Sequence, residues 1–269
     1  MMTEVVTEQN LPQQAQRRLV IEGLRKIYGS GPNAKTVLDG LTFDVDIGEF
    51  VCIVGPSGAG KTTLLKCLAG LLPPTSGRAY LDGEVITGPP EKLALVFQEY
   101  TRSLMPWLTV EKNVTLPLVN KGVSKRERRE RAREALEAVG LADVPRYYPW
   151  QLSGGMQQRV AIARALAYQP EVLVMDEPFA SVDAQTRFEL EDLAQRVREQ
   201  FGVTVVFVTH DIDEAVYLAD RVVVLGGSPC RVREIIPVEL EQPRDQVQTK
   251  ADPAFTELRS RVFELIRKG

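Results

Sequence analysis

The run Gly55-Pro56-Ser57-Gly58-Ala59-Gly60-Lys61-Thr62-Thr63 follows the apolar stretch Phe50-Val51-Cys52-Ile53-Val54 and leads into Leu64-Leu65-Lys66-Cys67-Leu68-Ala69-Gly70. An apolar run, a glycine-rich turn and a helix-forming run in that order require a strand, a tight loop and a helix packed back on the strand. The turn fits G-x-x-x-x-G-K-[ST]. In that pattern glycines let successive backbone N–H groups converge on phosphate oxygens, and the helix N-terminus adds its positive dipole end. Lys61 then reaches the β- and γ-phosphates, and the Thr62 hydroxyl ligates Mg²⁺. Gly, Pro and Ser are ordinary turn formers, but a plain turn has no reason to place Lys-Thr at a helix start.

The rest of the chain supplies what such a unit needs on either side. From Glu171 strands and helices alternate: Val172 to Met175, a helix from Ala184 to Glu199, Val203 to Val208, a helix from Asp211 to Ala219, and Arg221 to Leu225. This alternation implies a parallel sheet covered on both faces. Leu19 to Phe50 reads as a small antiparallel β region, and Leu93-Ala94-Leu95-Val96-Phe97 as a strand buried on both faces. Between them and Glu171 the pattern turns helical. Ser124 to Val139 is a charged helix closed by Gly140, its arginines interleaved with glutamates as on a solvated, salt-bridged face. The expected organisation is a flexible tail over 1–18, an α/β core from 19–98 and 169–228, an inserted helical subdomain over 99–168, and a C-terminal appendage over 229–269. The appendage holds a strand from Arg231 to Leu240 and an amphipathic helix from Pro253 to Arg267.

Two further stretches carry chemistry. In Leu152-Ser153-Gly154-Gly155-Met156-Gln157-Gln158-Arg159, Ser153 is placed to cap a helix whose first N–H groups the glycines leave approachable by an anion. Taken alone, this is better explained by an ordinary capped helix start; the carboxylate pair that follows reverses that preference. Directly after that helix, Glu171-Val172-Leu173-Val174-Met175-Asp176-Glu177-Pro178 places two carboxylates at the C-terminal end of a buried strand, where open α/β sheets bind ligands. Asp176 suits the coordination sphere of Mg²⁺, and Glu177 would polarise an attacking water. His210, the one histidine in the chain, follows Val203 to Val208 at the end of a parallel strand.

Composition removes other classes. A formal net charge of −3 gives no overall basic field, so nucleic acid is not an expected partner. The three cysteines have neither metal-site nor disulfide spacing and read as reduced thiols. No apolar stretch approaches the roughly 20 residues that span a bilayer, and the N-terminus lacks the layout of a signal peptide. With 44% hydrophobic residues the 269-residue chain has ample material for a core.

Leu152 to Arg159, following the phosphate loop and preceding Asp176-Glu177, resembles the signature sequence of ATP-binding cassette transporter ATPases. The motifs run in that family's order from about Leu19 to Leu225. The resemblance implies a P-loop NTPase core with a mainly parallel sheet, an N-terminal antiparallel β region and an inserted α-helical subdomain. It implies ATP and Mg²⁺ as cofactors. It also implies that two ATPases close head to tail, with ATP between the phosphate loop of one and Ser153, Gly154, Gly155 and Gln157 of the other. Tyr28 resembles the aromatic that stacks on adenine, although a strand-end tyrosine is an equal reading. Gln98 resembles the glutamine that touches Mg²⁺ and the attacking water, Asp183 the aspartate of the loop joining two active sites, and His210 the switch histidine at the γ-phosphate.

The segment Glu99 to Val110, with Gly88-Pro89-Pro90 and the tail from Pro237 to Arg267, resembles the nitrate, sulfonate and taurine importer branch. That branch implies an importer for a small anionic solute, with membrane permease subunits, a solute-binding protein and a second copy of this chain or a homologue. The ATPase then sits peripherally at the cytoplasmic face of the cell membrane. Leu104, Met105 and Trp107 are the candidates for the surface facing the permease, the alternative being that they pack internally. Ala180-Ser181-Val182 departs from the Ser-Ala-Leu usual before Asp183, and Pro90 stands where glycine is common. The competing function is an ATPase of the same superfamily acting on DNA, the ribosome or a cell-division complex.

Overall fold

The computed structural model describes residues 17–98 and 103–268. Most of the expected tail lies outside them, but Arg17 and Arg18 belong to the first strand. That strand, β1 (Arg17–Tyr28), pairs antiparallel with β2 (Lys35–Asp46) and with β4 (Ser76–Leu81), which pairs in turn with the short β5 (Glu84–Val85). The spatial order is β2-β1-β4-β5.

The second sheet has the order β10-β9-β3-β8-β7-β6. Its strands are β3 (Phe50–Val54), β6 (Leu93–Val96), β7 (Val172–Asp176), β8 (Thr204–Val208), β9 (Arg221–Gly226) and β10 (Arg231–Pro237). All neighbours are parallel except β10 on β9. Every residue of β3, β7 and β8 is buried, as expected for strands covered on both faces.

The period of two along these strands divides the core. Val51 and Ile53 of β3 pack toward Leu64, Leu65 and Leu68 of α1 (Lys61–Leu68) and toward Leu19, Ile21 and Leu41 of the antiparallel sheet. Phe50, Cys52 and Val54 point the other way, to a cluster that includes helices α2 (Val110–Thr115), α3 (Lys125–Ala138), α4 (Gly154–Ala167), α5 (Ala184–Phe201) and α6 (Ile212–Leu218). The basic helix α3 carries the Arg131–Glu127, Arg126–Glu130 and Arg133–Glu137 pairs one turn apart, consistent with a solvated face.

Two expectations need correction. Leu93–Val96 is an edge strand: Ala94 and Leu95 are half-buried, and Phe97 beyond it is 45% exposed. An apolar run reports burial without saying which flank is uncovered. The segment 229–269 is not appended to the core but built into it. Strand β10 satisfies the edge of β9, and α8 (Pro253–Arg267), after the one-turn α7 (Gln248–Ala251), packs on α6 and β9. Ile236, Val238, Leu240, Phe255 and Val262 join the same cluster as the central strands. Without them β9 would present unpaired amides and a bare apolar face. Cys230 also ties the two sheets together, its N–H donating to Val37 O at 2.9 Å and its carbonyl accepting from Asp39 N at 2.9 Å.

Candidate functional site

The phosphate loop leaves β3 after Val54 and reaches α1 through two positions that only glycine fits. A Cβ on Gly55 would lie 2.8 Å from Leu225 O, and Gly60 has φ +96° with Val37 Cγ1 2.8 Å from where its Cβ would be. The loop brings Ser57 and Gly58 to the surface and buries Ala59, with Pro56 and Thr63 half-buried. Side chains cap the N-termini of α2 to α6 and α8, whereas Gly60 leaves the first N–H groups of α1 without one. Those amides are the free donors an anion would take. Lys61, the first helical residue, is buried, its Nζ donating to Gly55 O at 2.9 Å and Pro56 O at 3.3 Å.

Around the loop, four parallel strands deliver their C-terminal ends to one place. Strand β7 ends at Asp176, which is buried and accepts a hydrogen bond from Thr62; burial raises its carboxyl above the ordinary value, against the pull of that bond. Glu177 follows with φ +44°, a backbone conformation uncommon for a side-chain-bearing residue, and its N–H donates to Val208 O at 2.8 Å. Its Oε2 accepts from Gln98 Nε2 at 3.3 Å and meets His210 Nδ1 at 3.0 Å, while its Oε1 lies 3.8 Å from Lys61 Nζ. Gln98 comes from just beyond β6, His210 from just beyond β8 and Lys61 from the first turn of α1, after the loop that leaves β3. A carboxylate held by an amide, an imidazole and an ammonium is equipped to orient water and accept its proton.

The second group of predicted residues is separate. Ser153 caps α4, accepting from Met156 N at 3.3 Å, and Gln157 Nε2 donates to Leu152 O at 3.2 Å. Gly154 opens α4. Gly155 is required by packing as well as by any anion, since a Cβ there would sit 2.4 Å from Thr186 Cγ2. Thr186 bonds through its N–H at 3.0 Å and its hydroxyl at 2.7 Å to Asp183, which caps α5, and these bonds hold the exposed Asp183 carboxyl below its usual range. Among the described residues none of Ser153, Gln157 and Asp183 hydrogen-bonds to the Glu177 cluster. Tyr28 ends β1 and is 42% exposed, with Lys26 Nζ 5.5 Å from its ring centroid.

Of the candidates for a partner surface, Leu104 is a core residue and drops out, Met105 is half-buried, and Trp107 is 71% exposed. Residues 99–102 of that segment lie outside the described ones. The loop is fixed by Asn113, which sequence reading missed: its Oδ1 accepts from Met105 N at 2.7 Å, and its Nδ2 donates to the carbonyls of Met105, Leu108 and Thr109. Also missed was the group Thr209, Asp211, Glu214 and Arg187 behind His210. Its only signal is Asp211-x-x-Glu214, which reads as a capping box. In the structure Asp211 caps α6 as that pattern predicts, but Glu214 turns inward to Thr209.

The family model described as ABC transporter matches residues 38–180. The chain is 40% identical to the aliphatic sulfonates import ATP-binding protein SsuB of Bacillus cereus, over 93% of this chain and 96% of that one. It is 40% identical to the bicarbonate transport ATP-binding protein CmpD of Synechocystis, over 92% of this chain and 88% of that one. A solved dimeric ATP-binding cassette in a post-hydrolysis state, bound to ADP and Pi, superposes with a TM-score of 0.72 at 35% identity, covering 82% of this chain and 99% of that one. A phosphate loop, a carboxylate pair at the end of a buried parallel strand and a signature helix, joined to these likenesses, mean that the chain belongs to the ABC transporter family and is an ATPase of it.

Proposed function

We propose that this chain is the ATP-hydrolysing subunit of an importer for a small anionic solute, working as a head-to-tail pair that holds ATP between subunits. The observation that carries the reading is the division of the site. Lys61, Gln98, Asp176, Glu177 and His210 form one cluster, whereas the Ser153–Gln157 turn and Asp183 form another that, among the described residues, makes no hydrogen bond to it. A phosphate-competent helix start that does nothing for its own chain's catalytic cluster is explained if it serves the cluster of a second copy or a homologous ATPase. In this reading Glu177 is the general base, His210 and Gln98 hold it and the water, and Tyr28 stacks on adenine.

The oxygen donors Thr62 and Asp176, with Gln98, fit Mg²⁺. Among the described residues no group of three or more His, Cys, Asp or Glu is arranged around a cation. A metal here would thus be held by one carboxylate, a hydroxyl, an amide and the nucleotide, as Mg²⁺ accepts. It would neutralise charge on the phosphates.

Anionic cargo is supported by SsuB and CmpD, whose names specify sulfonates and bicarbonate. SsuB and CmpD are named as ATP-binding proteins of import and transport systems, which supports permease subunits as partners, with a solute-binding protein to deliver the cargo. Trp107, together with the stacked pair Tyr148 and Trp150, offers exposed aromatic surface for the permease at the cytoplasmic face.

The test is to tag the C-terminus, solubilise native membranes in mild detergent and identify what co-purifies with and without ATP. Recovery of a polytopic membrane protein is expected, and its accompanying binding protein identifies the solute. Recovery of only ribosomes, DNA or soluble complexes would overturn the importer reading.

A further inference from the structure

Glu214 lies in the first turn of α6, is only 4% exposed, and has no part in the site described above. Its Oε2 accepts the Thr209 hydroxyl at 2.5 Å, and Thr209 Oγ1 accepts the Asp211 N–H at 2.9 Å. Asp211 Oδ2 accepts from Arg187 Nη1 at 3.1 Å, and Arg187 Nε lies 3.5 Å from Glu214 Oε1. These four residues close a ring, with the Thr209–Asp211 link made by the Asp211 main-chain N–H. Two of its members, Thr209 and Asp211, are the residues on either side of His210. The Thr209 N–H also donates to Ile53 O at 3.2 Å, near the start of the phosphate loop. Arg187 stands on α5, the helix capped by Asp183. The ring therefore ties the backbone that carries His210 to β3 on one side and to the Asp183 helix on the other.

We infer that Glu214 is a positioning residue for ATP hydrolysis: its carboxylate holds Thr209 and Arg187, and through them the main chain that presents His210 to Glu177. This rests on the reading of Glu177 and His210 as the hydrolytic pair. A residue that served α6 alone would return to the N-cap amide, but that amide is already taken by Thr209.

The ring has a second state. Glu214 faces Asp211 on its own turn, Arg187 and Glu191 on α5, and Cys52 on β3; Glu191 is itself paired with Lys250 of α7. Burial, helped by the charges of Asp211 and Glu191 and opposed by the Thr209 bond and Arg187, pushes the Glu214 carboxyl up to about 7. When protonated it no longer attracts Arg187, and its O–H competes for the Thr209 oxygen that holds Asp211.

The experiment is steady-state ATP hydrolysis by the full chain across about pH 6 to 9. Wild type is measured beside Glu214→Gln, Thr209→Val, Thr209→Ser and His210→Ala. Wild-type kcat is expected to rise about tenfold with a midpoint near 7 while KM stays within about twofold. Glu214→Gln should remain at the low-pH rate throughout, Thr209→Val should copy it, and Thr209→Ser should restore the rise. Wild-type kcat and midpoint in Glu214→Gln, with His210→Ala inactive, would overturn the role of Glu214 alone. Full activity in His210→Ala would instead remove the reading on which that role rests. Should Glu214→Gln fail to melt cooperatively, the threonine pair decides: a Thr209→Val profile identical to wild type overturns the proposal.

Discussion

His210 Nδ1 lies 3.0 Å from Glu177 Oε2, although 33 positions separate the two residues in the chain. Each sits just beyond the C-terminal end of its strand, and those strands, β7 and β8, are parallel neighbours. The Glu177 N–H donates to Val208 O, so the main chain of one strand end fixes the other before the side chains meet. The pair is thus a consequence of sheet register, and register makes its chemistry testable.

Glu177→Gln keeps the hydrogen bonds to Gln98 and His210 but cannot take a proton. Hydrolysis should fall by at least about 100-fold, with nucleotide affinity changed less than about threefold. Single-turnover hydrolysis and equilibrium ATP binding check this together, and wild-type turnover would refute the base assignment.

Lys61 is held against the carbonyls of its own loop and lies within reach of Glu177. Lys61→Ala should weaken ATP binding by about tenfold or more, because the buried ammonium proposed to meet the phosphates is lost. Isothermal titration with ATP and with adenosine separates the effect: adenosine affinity should not change.

Gly155→Ala would drive a methyl into Thr186 Cγ2, which stands 2.4 Å from the ideal Cβ position. A loss of about 1–3 kcal/mol is expected from overpacking. Thr186→Ser removes that methyl while keeping the hydroxyl that bonds Asp183. Urea unfolding of the double variant should therefore recover most of the loss.

Glu214 binds its proton up to about pH 7 when folded, against an ordinary value of 4.5 when unfolded. Between these values the folded chain holds more protons, so stability falls as pH rises through the window and stays lower above it, by about 3 kcal/mol at most. Denaturant melts should show Glu214→Gln gaining on wild type from pH 5 to pH 8. A variant more stable at alkaline pH yet slower in turnover would mark a residue kept for activity.

Val262 and Phe263 are adjacent in α8, the first fully buried and the second 54% exposed. Val262→Ala should cost about 2 kcal/mol and Phe263→Ala less than about 1 kcal/mol. Equal and small effects would mean that α8 contributes nothing to the core.

Much of the cluster around Glu177 was legible before any coordinates, because each of its members is a local pattern. Lys61 and Thr62 follow a glycine loop, Asp176 and Glu177 end an apolar run, and His210 ends another. The helix expected from Pro253 to Arg267 has those bounds in the structure, where the Asp252 side chain caps it. Long-range placement was not legible. The edge position of Leu93–Val96 and the integration of β10 and α8 depend on which strand lacks a neighbour. Leu104 lies in a loop sequence and yet is buried in the main core cluster.

What the sequence by itself determined is the set of elements and the chemical character of their ends, since periodicity, caps and glycine turns act over a few residues. Tertiary structure alone decided that Asn113 pins the Met105–Thr109 loop, that Thr186 makes Gly155 obligatory, and that Glu214 faces inward toward Thr209. Each of these is a meeting of groups from different elements or turns. Such meetings are selected by packing two faces together and by satisfying buried polar groups, and neither is written in a local pattern.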